Sequence, residues 1–264
     1  QPFHLDYFVQ FVTMVLIVLG AIGFPVLIEV KTFLLRKIPG FRFSLFTKIT
    51  TTTYGLLFIV GTLGILIVEA FHSFKGMRWH EALFSAMYHS VSTRSAGLTT
   101  YDVTTFSEAS SIFMSFLMFI GASPSSVGGG IRTTTFAIAI LFLISFANGR
   151  EEVQIFGRGI HLTDVFRSFV IICVALFMVL IATMILHITE PHATTTQIIF
   201  EITSAFGTCG MSLGITSDLS ITGKIVVMIL MFIGRVGLIS FLYTLGGKSK
   251  KLPYRYPKER VIIG

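Results

Sequence analysis

Charge is what these 264 residues have least of. Asp, Glu, Lys and Arg make up 12% of the chain, hydrophobic residues 53%, and mean hydropathy is +0.83. Average soluble domains carry about 25% charged residues, so a soluble globular protein is excluded. Cysteine is nearly missing: Cys173 and Cys209 lie in apolar or loop settings, so neither a disulfide framework nor a thiolate metal site is expected. The histidines are scattered. His187 and His192 stand five apart around Pro191, not at the i, i+4 spacing that sets two ligands on one helix face, and no transition-metal site is expected. Position 1 is Gln1, and neither a basic n-region nor a small-residue cleavage pattern follows. No signal peptide is read there, and the chain is expected to begin at a cut end.

What is present is apolar length. A helix needs roughly 17 to 25 apolar residues to cross a hydrocarbon core of ~30 Å, and such runs lie near 7–30, 53–70, 164–188 and 223–245, with an interrupted one at 111–147. The net charge of +7 does not point to nucleic acid, because its distribution follows membrane topology. Lys31, Arg36, Lys37, Arg42 and Lys48 come without an acid between them, and 248–260 carries six cations against Glu259. The stretch from Glu190 to Lys224 is acidic instead. The positive-inside rule puts the two basic stretches in the cytoplasm and the acidic one outside.

The sequence repeats itself. Leu117-Met118-Phe119-Ile120-Gly121 returns as Leu230-Met231-Phe232-Ile233-Gly234, an offset of 113 residues that also carries Gly97 onto Gly210. Each copy reads as a long span, a polar connection, a short semi-apolar helix, a glycine-centred loop and a second span. These fall at 48–70, 71–79, 80–92, 93–100 and 111–147, then at 164–188, 189–193, 194–205, 206–214 and 223–245. The short helices reach only ~20 Å at 1.5 Å per residue, so they are expected to enter the membrane and turn back. Residues 7–30 fit as the end of a further copy, because Gly20-Ala-Ile-Gly23 aligns with Gly234-Arg-Val-Gly237.

Irregular backbone is tolerated at membrane depth only where protein buries it or it lines a wet cavity, since unpaired amides in hydrocarbon are costly. The loops 93–99 and 206–212 are therefore expected to line such a cavity. Their small residues let carbonyl oxygens turn inward, and the partially negative end of each short helix points at the same place. That chemistry suits a monovalent cation stripped of water. The break at Gly121 to Thr135 is the second candidate site: Pro124 with Gly128, Gly129 and Gly130 cannot continue a helix. Without a following Lys-Ser or Lys-Thr, these glycines are not a phosphate loop. An arginine deep in a span is costly in lipid, so Arg235 is expected to face inward toward carbonyls or a hydroxyl. Arg94 is expected to turn away from the path toward a partner such as Glu81 or Asp102.

Thr208-Cys209-Gly210 resembles the start of the potassium-channel filter Thr-Val-Gly-Tyr-Gly, and 204–212 resembles the fourth filter of the Trk/Ktr/HKT superfamily of potassium transporters. Ser92 to Thr99 resembles its third filter, Gly121 to Arg132 its interrupted helix, and Gly234-Arg235-Val-Gly237 its last span. The short tail brings the chain closest to the Ktr-type membrane subunit. The resemblance covers essentially the whole chain and implies an all-α polytopic membrane protein, potassium-channel-like, built of tandem helix/re-entrant loop/helix (M1-P-M2) repeats. Residues 1–47 would be the second helix of an incomplete upstream repeat plus a basic cytoplasmic linker. Residues 48–163 would be a third repeat with a broken second helix, 164–247 a fourth, and 248–264 a cytoplasmic tail.

The function implied is passage of K⁺, with sodium coupling or sodium permeability left open, through a single-glycine filter in the cytoplasmic membrane. Ser95, Ala96, Gly97, Thr208, Cys209 and Gly210 would hold the ion on backbone carbonyls. Ser123, Pro124, Ser125, Ser126, Gly128, Gly129 and Gly130 would form an intramembrane gate held by Arg235. No enzyme activity and no cofactor are expected. The partners implied are membrane lipid, a second copy of the subunit and a cytosolic nucleotide-binding ring. One rival is a secondary transporter with broken helices around a midplane site, but it calls for inverted repeats, and both copies here run in the same direction. A non-conducting scaffold is the other.

Overall fold

Three serines start helices in the same way. Ser44, Ser107 and Ser220 each stand one residue before a helix, and each side chain accepts an amide hydrogen from the first turn. The computed structural model describes residues 6–36, 41–150 and 152–238, so the end of the last expected span and the basic tail lie outside the described residues. In chain order the helices are α1 (Tyr7–Ala21), α2 (Phe24–Arg36), α3 (Leu45–Glu69), α4 (Trp79–Ser92), α5 (Glu108–Phe119), α6 (Thr133–Ala147), α7 (Leu162–Thr189), α8 (Thr195–Phe206) and α9 (Ile221–Val236). A 3-10 turn, Val103–Thr105, precedes α5. The expected helix-rich membrane class is the one observed.

Two described helices, α3 and α7, are long and apolar enough to cross a membrane, at 25 and 28 residues. The helices that follow them, α4 and α8, have 14 and 12 residues, too short to cross. Apolar side chains cover the outside, with Phe71, Trp79 and Ile188 nearly bare, as expected where the solvent is lipid. The inside joins the two copies: Ile65 of α3, Ala86 of α4, Met114 and Met118 of α5 and Phe200 of α8 form one buried cluster that also takes in Cys209. A second cluster binds α7, α8 and α9 through Leu186, Ile198, Ile202 and Leu230.

The structure departs from the expected elements in two places. Residues 7–30 are not one straight span, because α1 and α2 meet at 105°. Gly23 is left-handed at φ +97, and Pro25 stands two positions on. The backbone groups that the bend frees are taken by the segment between α5 and α6: Ser123 N–H donates to Ala21 O, Val127 N–H to Gly20 O, and Phe24 N–H to Ser125 O, at 3.0 to 3.2 Å. Then, in the polar connection before α7, β1 (Gln154–Ile155) pairs antiparallel with β2 (Arg158–Gly159). Phe156 and Gly157 turn this hairpin with φ of 51 and 73, the two left-handed residues a tight turn needs. The Lys48 ammonium lies 5.7 Å from the centre of the Phe156 ring, which ties the hairpin to the start of α3.

Candidate functional site

Both short helices end at the loops that composition singled out. In the first, Ser95 and Gly97 have φ of 67 and 70; in the second, Thr208 and Gly210 have 49 and 94. The two pairs are related by the same 113-residue offset. In each loop the two left-handed residues flank one that is not left-handed, Ala96 in the first and Cys209 in the second. Ser95 and Thr208 hold this conformation without the freedom of glycine, at a cost of about 1 kcal/mol or more each.

The loops touch. A Cβ built on Gly97 would overlap the Cys209 carbonyl oxygen, so glycine is required there by space as well as by φ. The Cys209 thiol donates to Ser92 O at 3.4 Å and faces the amides of Ser95, Ala96 and Gly97. It is a buried free thiol that staples the two loops. Gly210 N–H donates to Ser204 Oγ at 3.1 Å, and the Ser92 hydroxyl donates to Leu98 O, so each loop is also tied to its own helix. Above them a cavity of about 510 Å³ is lined by Gly97, Thr99, Thr100, Tyr101, Asp102, Val103, Gly210, Met211 and Ser212. Its acid, Asp102, is exposed and accepts from the Thr104 amide at 3.0 Å and hydroxyl at 2.7 Å. Those bonds hold its carboxyl below the usual range.

On the other side of the loops lies the break between α5 and α6. Pro124 and Ser126 are half-buried, Ser125 and Val127 are exposed, and Ser123, Gly128, Gly129 and Gly130 are buried. Gly128 and Gly129 press on the two loops. A Cβ on the first would meet Ser95 Oγ at 2.6 Å, and one on the second would meet Thr208 Oγ1 at 2.5 Å and Gly234 O at 3.0 Å. One hydroxyl joins all three segments: Ser95 Oγ donates to Gly207 O at 2.7 Å and accepts from Gly129 N–H at 3.2 Å. Thr208 Oγ1, its counterpart, is buried and has no partner among the described residues.

The arginines differ from expectation. Arg235 is exposed on α9, and no hydrogen bond from it is seen among the described residues. The guanidinium that reaches the broken segment is Arg132, which donates to Gly128 O and, at 3.5 Å, to Ser123 O. The like charges of Arg132 and Arg235 are close enough to repel. Sequence reasoning placed Arg132 at the end of the interrupted helix and gave it no role of its own. Arg94 turns into the protein, but not to an acid. It is 2% exposed, its guanidinium lies 5.9 Å from the Tyr54 ring centre, and Glu81 and Asp102 are engaged with Arg78 and Thr104. The flat face of a tyrosine on α3 supplies the negative potential a carboxylate was expected to supply.

Known proteins share this architecture. The model of the cation transport protein family TrkH matches residues 1–251. The chain is 55% identical over 263 residues to Ktr system potassium uptake protein D of Bacillus subtilis, covering 100% of this chain and 58% of that protein. It is 34% identical over 256 residues to potassium/sodium uptake protein NtpJ of Enterococcus hirae, covering 94% and 56%. The crystal structure of the potassium transporter TrkH from Vibrio parahaemolyticus superposes with a TM-score of 0.68 at 17% identity, over 92% of this chain and 53% of that one. The chain thus spans a little over half the length of the curated relatives it matches.

Proposed function

The chain belongs to the TrkH family of cation transport proteins, and on that premise we propose that it supplies the third and fourth of four M1-P-M2 units in a pore that passes K⁺ across the cytoplasmic membrane. The observation that carries this reading is the pair of loops. Two segments 113 residues apart bring left-handed residues to the same two positions and meet back to back at the floor of a polar cavity. Carbonyls of Ser95, Ala96, Gly97, Thr208, Cys209 and Gly210 replace the water shell of the ion. The ends of α4 and α8 add their partial negative charge.

The segment Ser123 to Gly130 lies beneath the loops and acts as the gate, latched by Arg132, with Arg235 facing it from α9. No bond is made or broken in this passage, and no cofactor takes part. Two further features complete the reading. The Ktr relatives are named as parts of an uptake system, which supports assembly with a regulatory subunit on the basic cytoplasmic face, and a second copy of the chain is the expected neighbour in the membrane. The name of the Enterococcus protein includes sodium, so Na⁺ is the competing ion to measure.

The test is ⁸⁶Rb⁺ uptake by cells lacking their own potassium uptake and expressing the full-length protein. Uptake that depends on expression, competes with K⁺ and is lost with Gly210→Ser supports the pore. Full expression in the membrane without uptake would sink it.

A further inference from the structure

The Ser95 hydroxyl stands where the two loops meet the segment between α5 and α6. Its hydrogen goes to Gly207 O, and its lone pairs face the amide of Gly129. Thr208 Oγ1 lies against the same gate glycine, buried and without a partner among the described residues. The two hydroxyls occupy equivalent positions in the two copies, both on left-handed backbone. Each lies against one glycine of the segment between α5 and α6, Ser95 Oγ against Gly128 and Thr208 Oγ1 against Gly129.

We infer that the Ser95 hydroxyl is contested by the gate amide of Gly129 and by a dehydrated monovalent cation at the inner end of the filter, so that cation occupancy itself drives the gate off. This rests on the pore reading proposed above. An N–H that donates to an oxygen holds its positive end toward that oxygen, and a cation bound to the same atom faces that positive end at close range. The two occupants exclude each other. Without a cation, Gly129 keeps the bond and Gly128 and Gly129 stay packed on the loops. With a cation drawn to Ser95 Oγ and to the vacant lone pairs of Thr208 Oγ1, the amide is displaced and the segment Ser123 to Gly130, a strap across the loops, loses its one hydrogen bond to them among the described residues. The α1–α2 bend moves with it, because Ala21, Gly20 and Phe24 are bonded to the same strap.

The experiment uses the full-length protein in proteoliposomes, with Cys173→Ser to remove the exposed thiol and Val127→Cys as reporter. Val127 is exposed on the strap, and its amide bond to Gly20 O survives the change. The modification rate by a small charged thiol reagent is measured as K⁺ replaces choline, alongside ⁸⁶Rb⁺ flux. The expected result is a rate that rises about threefold to tenfold with K⁺, the span of one net hydrogen bond. Ser95→Ala should abolish that dependence, and Ser95→Thr should restore it, because Thr208 already holds a threonine at the equivalent left-handed position. If Ser95→Ala does not assemble, Ser95→Gly, which relieves the backbone and also lacks the hydroxyl, carries the same expectation. A rate indifferent to K⁺ with Ser95 in place, or an unchanged dependence without the hydroxyl, overturns the inference. Flux in the parent protein is read independently, so loss of the coupling is distinguishable from failure of the pore reading.

Discussion

Glu69 accepts two hydrogen bonds from Ser107, the backbone amide at 2.9 Å and the hydroxyl at 2.7 Å, joining the end of α3 to the start of α5. Glu190 takes the same pair from Ser220 between α7 and α9. Ser107 and Ser220 are another pair at the 113-residue offset. A carboxylate at the end of each first span thus caps the second span of its own copy, and the short helix and glycine-centred loop lie between the joined ends.

Removing that clasp should loosen the loop it encloses. Glu69 is fully buried, and Glu69→Ala leaves the Ser107 and Ser73 amides unpaired, at a cost of about 2–3 kcal/mol. The expected outcome is a lower melting temperature in detergent, with Glu69→Gln between the two. A double-mutant cycle with Ser107→Ala should give a coupling of about 1 kcal/mol or more. Additive effects would show that the two residues act separately.

The second clasp sets a pH dependence. The Ser220 hydroxyl bond, with its amide, holds the Glu190 carboxyl below its ordinary value of 4.5. A depressed carboxylate contributes stability that is complete above the ordinary value and is lost as pH falls through the lower folded one. Melting measured from pH 7 down should therefore change little until below 4.5, then fall more steeply for the parent protein than for Glu190→Gln. Parallel curves would remove Glu190 from the account.

Two glycines should fail differently. Gly97→Ala drives a Cβ into the Cys209 carbonyl, whereas a Cβ on Gly210 meets open space and only the φ of +94 opposes it. Gly97→Ala is expected to lower both folded yield and flux. Gly210→Ala should keep near-normal yield at a backbone cost of about 1–2 kcal/mol and change K⁺ over Na⁺ discrimination. Size-exclusion yield and competition of Na⁺ against ⁸⁶Rb⁺ uptake distinguish the two.

Arg132→Gln should make the gate leaky. It removes charge-assisted hydrogen bonds to Gly128 O and Ser123 O, worth about 1.5–3 kcal/mol, which corresponds to roughly a tenfold or greater shift toward the open segment. Basal ⁸⁶Rb⁺ flux is the readout, with Arg132→Lys intermediate because it keeps the charge but not the fork.

Asp102 should collect cations at the outer cavity. Its carboxyl stays ionised at neutral pH, held down by Thr104. Asp102→Asn is expected to raise the half-saturating K⁺ concentration at low ionic strength and to have little effect at high salt, where the screening length falls from about 30 Å at 0.01 M to about 3 Å at 1 M. A shift that persists at high salt would point to direct contact with the ion instead.

Much of this was legible from residue order. Alternating long spans and short helices follow from apolar run lengths, and observed boundaries such as Trp79–Ser92 and Thr195–Phe206 differ by a residue or so from the expected ones. The repeat located both loops. Less legible were side chains whose partner lies on another element. Nothing local says that Arg94 packs on Tyr54, that the Cys209 thiol sits among the amides of the other loop, or that Arg132, not Arg235, reaches the strap. The bend at Gly23 was missed for a similar reason. A Gly-x-Pro step inside an apolar run permits a break, but the carbonyls it frees are satisfied by residues about a hundred positions away.

Residue order thus sufficed for the membrane class, the two-fold internal repeat and the placing of glycines where backbone must turn, because hydrophobic length and allowed φ are properties of short stretches. Folding in three dimensions decided which segment faces which. The Ser95 hydroxyl has no partner within its own stretch, and its place between a second loop and the strap arises only when three segments distant in the chain converge on one oxygen.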